Sequence, residues 1–303
     1  MIYYWLAISI ANLTKDEIAK DEIAKALKEM PNDKSPGLDG FSTNFYKFFW
    51  PNINEFVKDS FECARLHGKL SDSQRLGVIS LIPKKDNDLR YIRSWRPVTL
   101  LSTDYKILAK TLASRLQKVI ANLVSPDQVG YIKGRYLSHN VRVIEDIMSY
   151  TLKHQIPGYL VLIDFQKAFD TVEWDFLFDT LKAYKFGPNF ISWIKLLYTE
   201  IGSCTLNNGY LSQNFKLSRG IRQGCPISAL LFLLVAEILS RKLNSNGDAK
   251  GLQINNCDYK VFQLADDTTI FLEQLESLNN AIKLFLDFEK ISGLKTKNKL
   301  RKM

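Results

Sequence analysis

The chain is poor in the residues that build metal and disulfide frameworks. Its 303 residues include only four cysteines and three histidines. Cys63, Cys204, Cys225 and Cys257 lie far apart and form no C-x-x-C pair, and His67, His139 and His154 are equally scattered. That excludes the ligand spacing of a structural zinc site. A disulfide framework fits a chain this long poorly, so the cysteines are expected as reduced small hydrophobes, as inside a cell. Long apolar runs are also missing. Residues 1–11 are apolar but lack a basic start and are too short to span a bilayer. Residues 229–239 are too short as well and contain Glu237, so they read as a buried helix. No membrane partner is expected. No low-complexity linker divides the chain. Acids are absent from two stretches: 105–126, and 290–302 with its six basic residues.

What is present is an ordinary globular composition, 46 % apolar and 24 % charged. The net charge of +9 favours polyanions such as nucleic acid, although solubility alone explains a charge of this size equally well. The helix expected to run from an Asp104 cap to about Asn122 is acid-free after that cap, and with Lys106, Lys110, Arg115 and Lys118 it divides in the same way between a nucleic-acid face and a solvated one.

A pentapeptide stands twice in tandem, Lys15-Asp16-Glu17-Ile18-Ala19 and Lys20-Asp21-Glu22-Ile23-Ala24. Five residues turn a helix face by roughly 140° at about 100° per residue, so Ile18 and Ile23 are not expected to share a buried stripe. The first copy is expected to extend the helix, with Thr14 as N-cap and Glu17 completing a capping box. Helices are also expected over 43–50, 140–152, 173–185, 228–243 and 275–291, and strands over 79–83 and 159–163, with a strand-rich stretch at 203–217. Residues 259–264 and 268–272 suit a hairpin around Ala265-Asp266-Asp267. The mixed order gives an α+β chain.

Asp164 follows the apolar run 159–163, and Asp266-Asp267 stand about a hundred residues later. An acid ending a strand commonly only caps a turn. Two adjacent carboxylates, however, repel unless a cation compensates them. Converging acids from distant strands are a way to hold two Mg²⁺ ions for phosphoryl transfer. Between them lies Arg219-Gly220-Ile221-Arg222-Gln223-Gly224-Cys225-Pro226, a glycine-rich loop that is either a phosphate cradle or a plain connection. Lys84, Lys85, Arg93 and Arg96 gather positive charge at one strand–turn, for phosphate or for solvent. Phe169 is either core or a wall beside a nucleotide sugar.

Several stretches, taken in order, resemble the reverse transcriptase domain of plant LINE-type (non-LTR) retrotransposons. They are Asn32-Asp33-Lys34-Ser35-Pro36-Gly37-Leu38-Asp39-Gly40, Ile82-Pro83-Lys84, Trp95-Arg96-Pro97-Val98-Thr99-Leu100, Asp104-Tyr105-Lys106-Ile107-Leu108-Ala109, Gln128-Val129-Gly130-Tyr131-Ile132-Lys133-Gly134-Arg135, Asp164-Phe165-Gln166-Lys167-Ala168-Phe169-Asp170, Gly220-Ile221-Arg222-Gln223-Gly224-Cys225-Pro226 and Ala265-Asp266-Asp267. The resemblance implies right-hand polymerase fingers and palm, with an antiparallel palm sheet flanked by helices and the thumb absent or truncated. It implies an extension over 1–13 and the catalytic domain over 14–303, with about 14–140 mainly fingers and about 141–303 mainly palm.

By the same resemblance, Asp164, Asp266 and Asp267 hold two Mg²⁺, with Mn²⁺ as the alternative ion. Lys84 and Arg96 hold the triphosphate. Gln223, Gly224 and Phe165 contact the incoming nucleotide, and Phe169 is the gate against ribonucleotides. The implied partners are an RNA template, a DNA primer and deoxynucleoside triphosphates, and the implied location is the nucleus. Leu264, Ile227 and Ala229 depart from the usual pattern. The stretch Gly293-Leu294-Lys295-Thr296 starts a further motif that 297–301 leave out of register, so no lysine is assigned as general acid. The chain is expected to be a fragment lacking the nicking domain. A silent nucleic-acid-binding relic is the rival reading, and a group II intron maturase-like protein fits the 164–170 stretch less well.

Overall fold

The computed structural model describes residues 17–85 and 87–302. The extension over 1–13 and the Thr14 cap lie outside these residues. Along the chain run α1 (Lys20–Glu29), α2 (Thr43–His67), α3 (Asp72–Arg75), β1 (Leu76–Pro83), β2 (Trp95–Leu100), α4 (Thr103–Gln117), α5 (Ile120–Leu123), α6 (Leu137–His154), β3 (Tyr159–Phe165), α7 (Ala168–Thr171), α8 (Trp174–Ala183) and α9 (Pro188–Leu196). There follow β4 (Gly202–Asn207), β5 (Tyr210–Leu211), β6 (Phe215–Lys216), α10 (Ser228–Ser245), β7 (Leu252–Ile254), β8 (Cys257–Tyr259), β9 (Val261–Leu264), β10 (Asp267–Leu272), α11 (Leu275–Ser292) and β11 (Thr296–Lys302). The expected mixture of helices and sheets is present. Contacts divide the chain into two compact units.

The first unit comprises the residues up to 118 with 185–218 and 222–228. Its sheet runs β2-β1-β4-β5, with β6 also on β4. β1 pairs antiparallel with β2, from Val78↔Leu100 to Pro83↔Trp95, and parallel with β4. α1 begins at Lys20, after the first pentapeptide copy, so that copy does not extend the helix. The reach-back half of a cap is instead made across the two copies, where the Ala19 N–H donates to Glu22 Oε2 at 3.2 Å. Because Ile18 precedes the helix, its direction is free of the helical period, and Ile18 and Ile23 are both buried.

α2 does not stop at Trp50 but continues through Pro51 to a left-handed Gly68. Asn54 Nδ2 donates to the Trp50 and Pro51 carbonyls at 2.9 and 3.0 Å. The acid-free helix is also shorter than expected, ending at Gln117. Its cations are largely answered within the unit. Arg115 is buried and grips Glu22 through two bonds of 2.6 and 3.1 Å, while Lys110 pairs with Glu29 at 3.1 Å. Lys106 donates to the Ser35 carbonyl at 3.0 Å. The face read as a candidate for nucleic acid is thus in good part an internal seam against α1, whose acids stand far away in sequence.

The second unit comprises 119–184, 219–221 and 229 onward. Its four-stranded sheet runs β11-β3-β10-β9, antiparallel throughout. Alternation along β3 buries Val161, Ile163 and Phe165, and Leu160 is buried on the opposite face. α10 is the buried helix expected from its apolar run, with Leu231, Leu233, Leu234, Val235, Ala236 and Leu239 fully enclosed. Glu237 is enclosed too. Its carboxylate accepts from the Ser125 N–H and from Arg241 Nε, each at 3.0 Å, as a buried charge requires. Burial nonetheless pushes its pKa above the usual range. Among the described residues no helix is long and apolar enough to cross a membrane.

Candidate active site

β3 extends two residues further than the apolar run suggests, to Phe165. Asp164 therefore lies within a strand, not after one. Its neighbours Ile163 and Phe165 are buried, and Asp164 faces the opposite, exposed side. In the ladder Ile163 stands opposite Thr268, and one step along the same register brings Asp164 opposite Asp267. Asp267 is likewise exposed while Thr268 is buried. Directly opposed residues share a face, with Cβ atoms about 4.5–5.5 Å apart. Strands β9 and β10 close on the pair Leu264↔Asp267, which leaves Ala265 and Asp266 as a two-residue hairpin link. The hairpin expected around this acidic pair is present.

The three acids meet at one end of one sheet. Asp267 registers the encounter: burial, then the charges of Asp266 and Asp164, raise its pKa above the ordinary aspartate value. The side chains do not close into a ligand cage. Among the described residues no three acidic, His or Cys side chains are grouped tightly enough to hold an ion. The donor set still fits a hard divalent cation, because it offers only carboxylate oxygens on an exposed face. Carboxylates so grouped suit metal-assisted phosphoryl transfer.

Phe165 is buried, so its side chain takes no part in the exposed face. Phe169 is half-buried and stacks on Phe232 with ring centroids 5.1 Å apart. Its carbonyl accepts from the Ile221 N–H at 2.5 Å, and the Val172 carbonyl accepts from the Gly220 N–H at 2.8 Å. The start of the glycine loop is thereby tied to the segment after β3. Gly220 has φ +88°, and a Cβ there would meet the Asp170 carbonyl oxygen at 2.8 Å. Glycine is required on both counts.

The remaining predicted residues gather in the first unit. Arg96 on β2 is exposed, opposite Ile82. Lys84 follows β1 and donates to the Arg93 carbonyl at 2.9 Å. An ammonium has three donors, so further acceptors can be taken. The Gln223 carbonyl accepts from the Thr99 N–H at 3.3 Å, on the same strand as Arg96. Gly224 is exposed with φ +95°, and a Cβ there would lie 2.6 Å from the Thr99 carbonyl oxygen. Lys84, Arg96, Gln223 and Gly224 are thus brought to one strand pair.

Sequence reasoning assigned no role to Arg222 or Gln128 that their surroundings bear out. Arg222 is buried, stacked over Tyr105 and donating to the Arg75 and Gly202 carbonyls at 2.8 and 3.2 Å. It fastens the loop to its sheet. Gln128 is buried against the acidic turn. A glutamine carries no chemical signal of that kind, and only its contacts disclose it.

Residues 82–303 match the family described as reverse transcriptase (RNA-dependent DNA polymerase). The chain is 38 % identical over 274 residues to the transposon TX1 uncharacterized 149 kDa protein of Xenopus laevis, covering 87 % of this chain and 20 % of that protein. It is 31 % identical over 228 residues to the retrovirus-related Pol polyprotein from type-2 retrotransposable element R2DM of Drosophila melanogaster, covering 75 % of this chain and 21 % of that protein. It is also 23 % identical to a probable RNA-directed DNA polymerase from transposon BS of the same fly, over 75 % of this chain and 25 % of that protein. The chain spans about a fifth to a quarter of the length of these relatives. It belongs to the reverse transcriptase family.

Proposed function

We propose that this chain is the polymerase domain of a non-LTR retrotransposon of the plant LINE type, and that it adds deoxynucleotides to a DNA primer 3′-OH on an RNA template. The observation that carries the reading is the meeting of Asp164, Asp266 and Asp267 at one end of an antiparallel sheet, with Asp267 sensing the other two charges. The four-stranded sheet is then the palm, and the sheet bearing Lys84 and Arg96 belongs to the fingers. The identities to transposon proteins support the source, and the motif resemblance supports a plant element acting in the nucleus.

Asp164, Asp266 and Asp267 would hold Mg²⁺, which would supply positive charge to stabilise phosphoryl transfer. The chain's own residues position the reactants. Asp164 and Asp267 fix two sites on one exposed strand pair, and Asp266 adds a third from the turn. Lys84 and Arg96 hold the triphosphate through charge-assisted hydrogen bonds. Gly224, without a side chain, lets the loop close on Thr99 and so presents the backbone beside Gln223 to a nucleotide. Phe169 stands as a wall at the sugar, kept in place by Phe232.

The test is primer extension by the Asp266→Asn variant. Losing one carboxylate removes charge stabilisation where it is largest, so extension should fall at least about a hundredfold. Primer–template binding should survive, because phosphate contacts by Lys and Arg dominate it. Extension at the wild-type rate would refute the assignment.

A further inference from the structure

The acidic turn is held from outside its own hairpin. Ala265 has φ +55°, a left-handed backbone that alanine disfavours. In a two-residue link its N–H and C=O are not used by the ladder, and one side chain takes both. Gln128, 1 % exposed, accepts from the Ala265 N–H through Oε1 at 2.9 Å and donates through Nε2 to the Ala265 carbonyl at 3.3 Å. The same Oε1 accepts from the Gly130 N–H at 2.9 Å. Gly130 presses on the turn directly, since a Cβ there would lie 2.5 Å from the Ala265 nitrogen.

The segment carrying Gln128 is itself anchored. The Gln263 N–H donates to the Asp127 carbonyl and the Val129 N–H to the Gln263 carbonyl, each at 3.0 Å. Arg135 donates to the Ser125, Gln128 and Ala121 carbonyls at 2.5, 2.7 and 2.8 Å. A fixed brace therefore grips the residue immediately before Asp266.

We propose that Gln128 is a positioning residue for the metal-holding carboxylates. It keeps Ala265 left-handed, and so sets the direction in which Asp266 leaves the turn. The proposal rests on the polymerase reading above. Without the brace Ala265 is free to relax to an ordinary turn, and Asp266 turns away from Asp164 and Asp267. The loss then falls on cation affinity and leaves nucleic-acid binding intact.

The experiment is Mn²⁺ titration of the whole chain by electron paramagnetic resonance. It compares wild type with Gln128→Met, which keeps bulk without hydrogen bonds, and with Gly130→Ala, which pushes on Ala265 while Gln128 remains. Partners that orient ligands typically contribute about 10–100-fold to metal affinity, so half-saturation should move up by about tenfold or more in both variants. Primer–template affinity in metal-free buffer should be unchanged. If Gln128→Met does not fold, Gly130→Ala decides alone. Unchanged Mn²⁺ affinity in the folded variants, even with a lowered melting temperature, would overturn the proposal and leave Gln128 as packing. Wild type that binds no Mn²⁺ would instead overturn the polymerase reading, and this proposal with it.

Discussion

Asp267 ionises against two neighbours. A raised carboxylate pKa means that the folded chain binds the proton more tightly than the unfolded one, so stability falls as pH rises through the shifted range. The penalty is complete above the folded-state pKa and absent below about pH 4, the ordinary aspartate value. Asp267→Asn should therefore melt above wild type at pH 7, by about 1–2 °C for a group this exposed. The two proteins should coincide near pH 3. A variant that melts lower at pH 7 would mean that hydrogen bonding by Asp267 outweighs the repulsion. Phe169 poses a second question at this scale, because it both stacks on Phe232 and is the expected wall at the sugar. Phe169→Ala should shift the ribonucleotide-to-deoxyribonucleotide ratio in single-nucleotide incorporation by at least about tenfold. An unchanged ratio with lowered stability would make Phe169 core alone.

At the level of elements, α10 is buried along most of its length. Leu234 is fully enclosed, and Leu234→Ala should cost about 2–5 kcal/mol in denaturant unfolding. A cost below about 1 kcal/mol would contradict the burial of this face. This helix and the acidic hairpin were legible in the sequence. A long apolar run bounded by polar residues, and two strand-like halves around adjacent acids, each leave a local pattern. Three features were not legible, for physical reasons. α9 is buried through Phe190, Ile191, Trp193, Ile194 and Leu196, so it has little polar face to set a period, and only Gly187-Pro188 marked its start. β11 reads as a basic tail, yet pairs with β3 from Thr296↔Phe165 to Lys302↔Tyr159. Lysine-rich edge strands are common because charge discourages further pairing. α2 crosses Pro51, where local rules place an end. At the site, the three acids could be read from residue type and order. The brace by Gln128 could not, because hydrogen bonds between segments more than a hundred residues apart leave no spacing to read.

For the whole molecule, the net charge of +9 acts at long range, while the exposed carboxylates act locally. Part of the positive charge is spent internally, as Arg115 on Glu22 and Lys110 on Glu29 show. Lys84, Lys85, Arg93 and Arg96 stand at one strand–turn, where phosphate contacts would concentrate. Binding to primer–template should then weaken steeply with salt, as each neutralised phosphate releases counterions. Binding alone does not separate a polymerase from a silent relic. The direct measurement is extension of a DNA primer on an RNA template by the wild-type chain, with Mg²⁺ and deoxynucleoside triphosphates. The expected result is Mg²⁺-dependent addition of template-directed nucleotides. The contradicting result is salt-sensitive binding of the same primer–template with no nucleotide added at any Mg²⁺ or Mn²⁺ concentration.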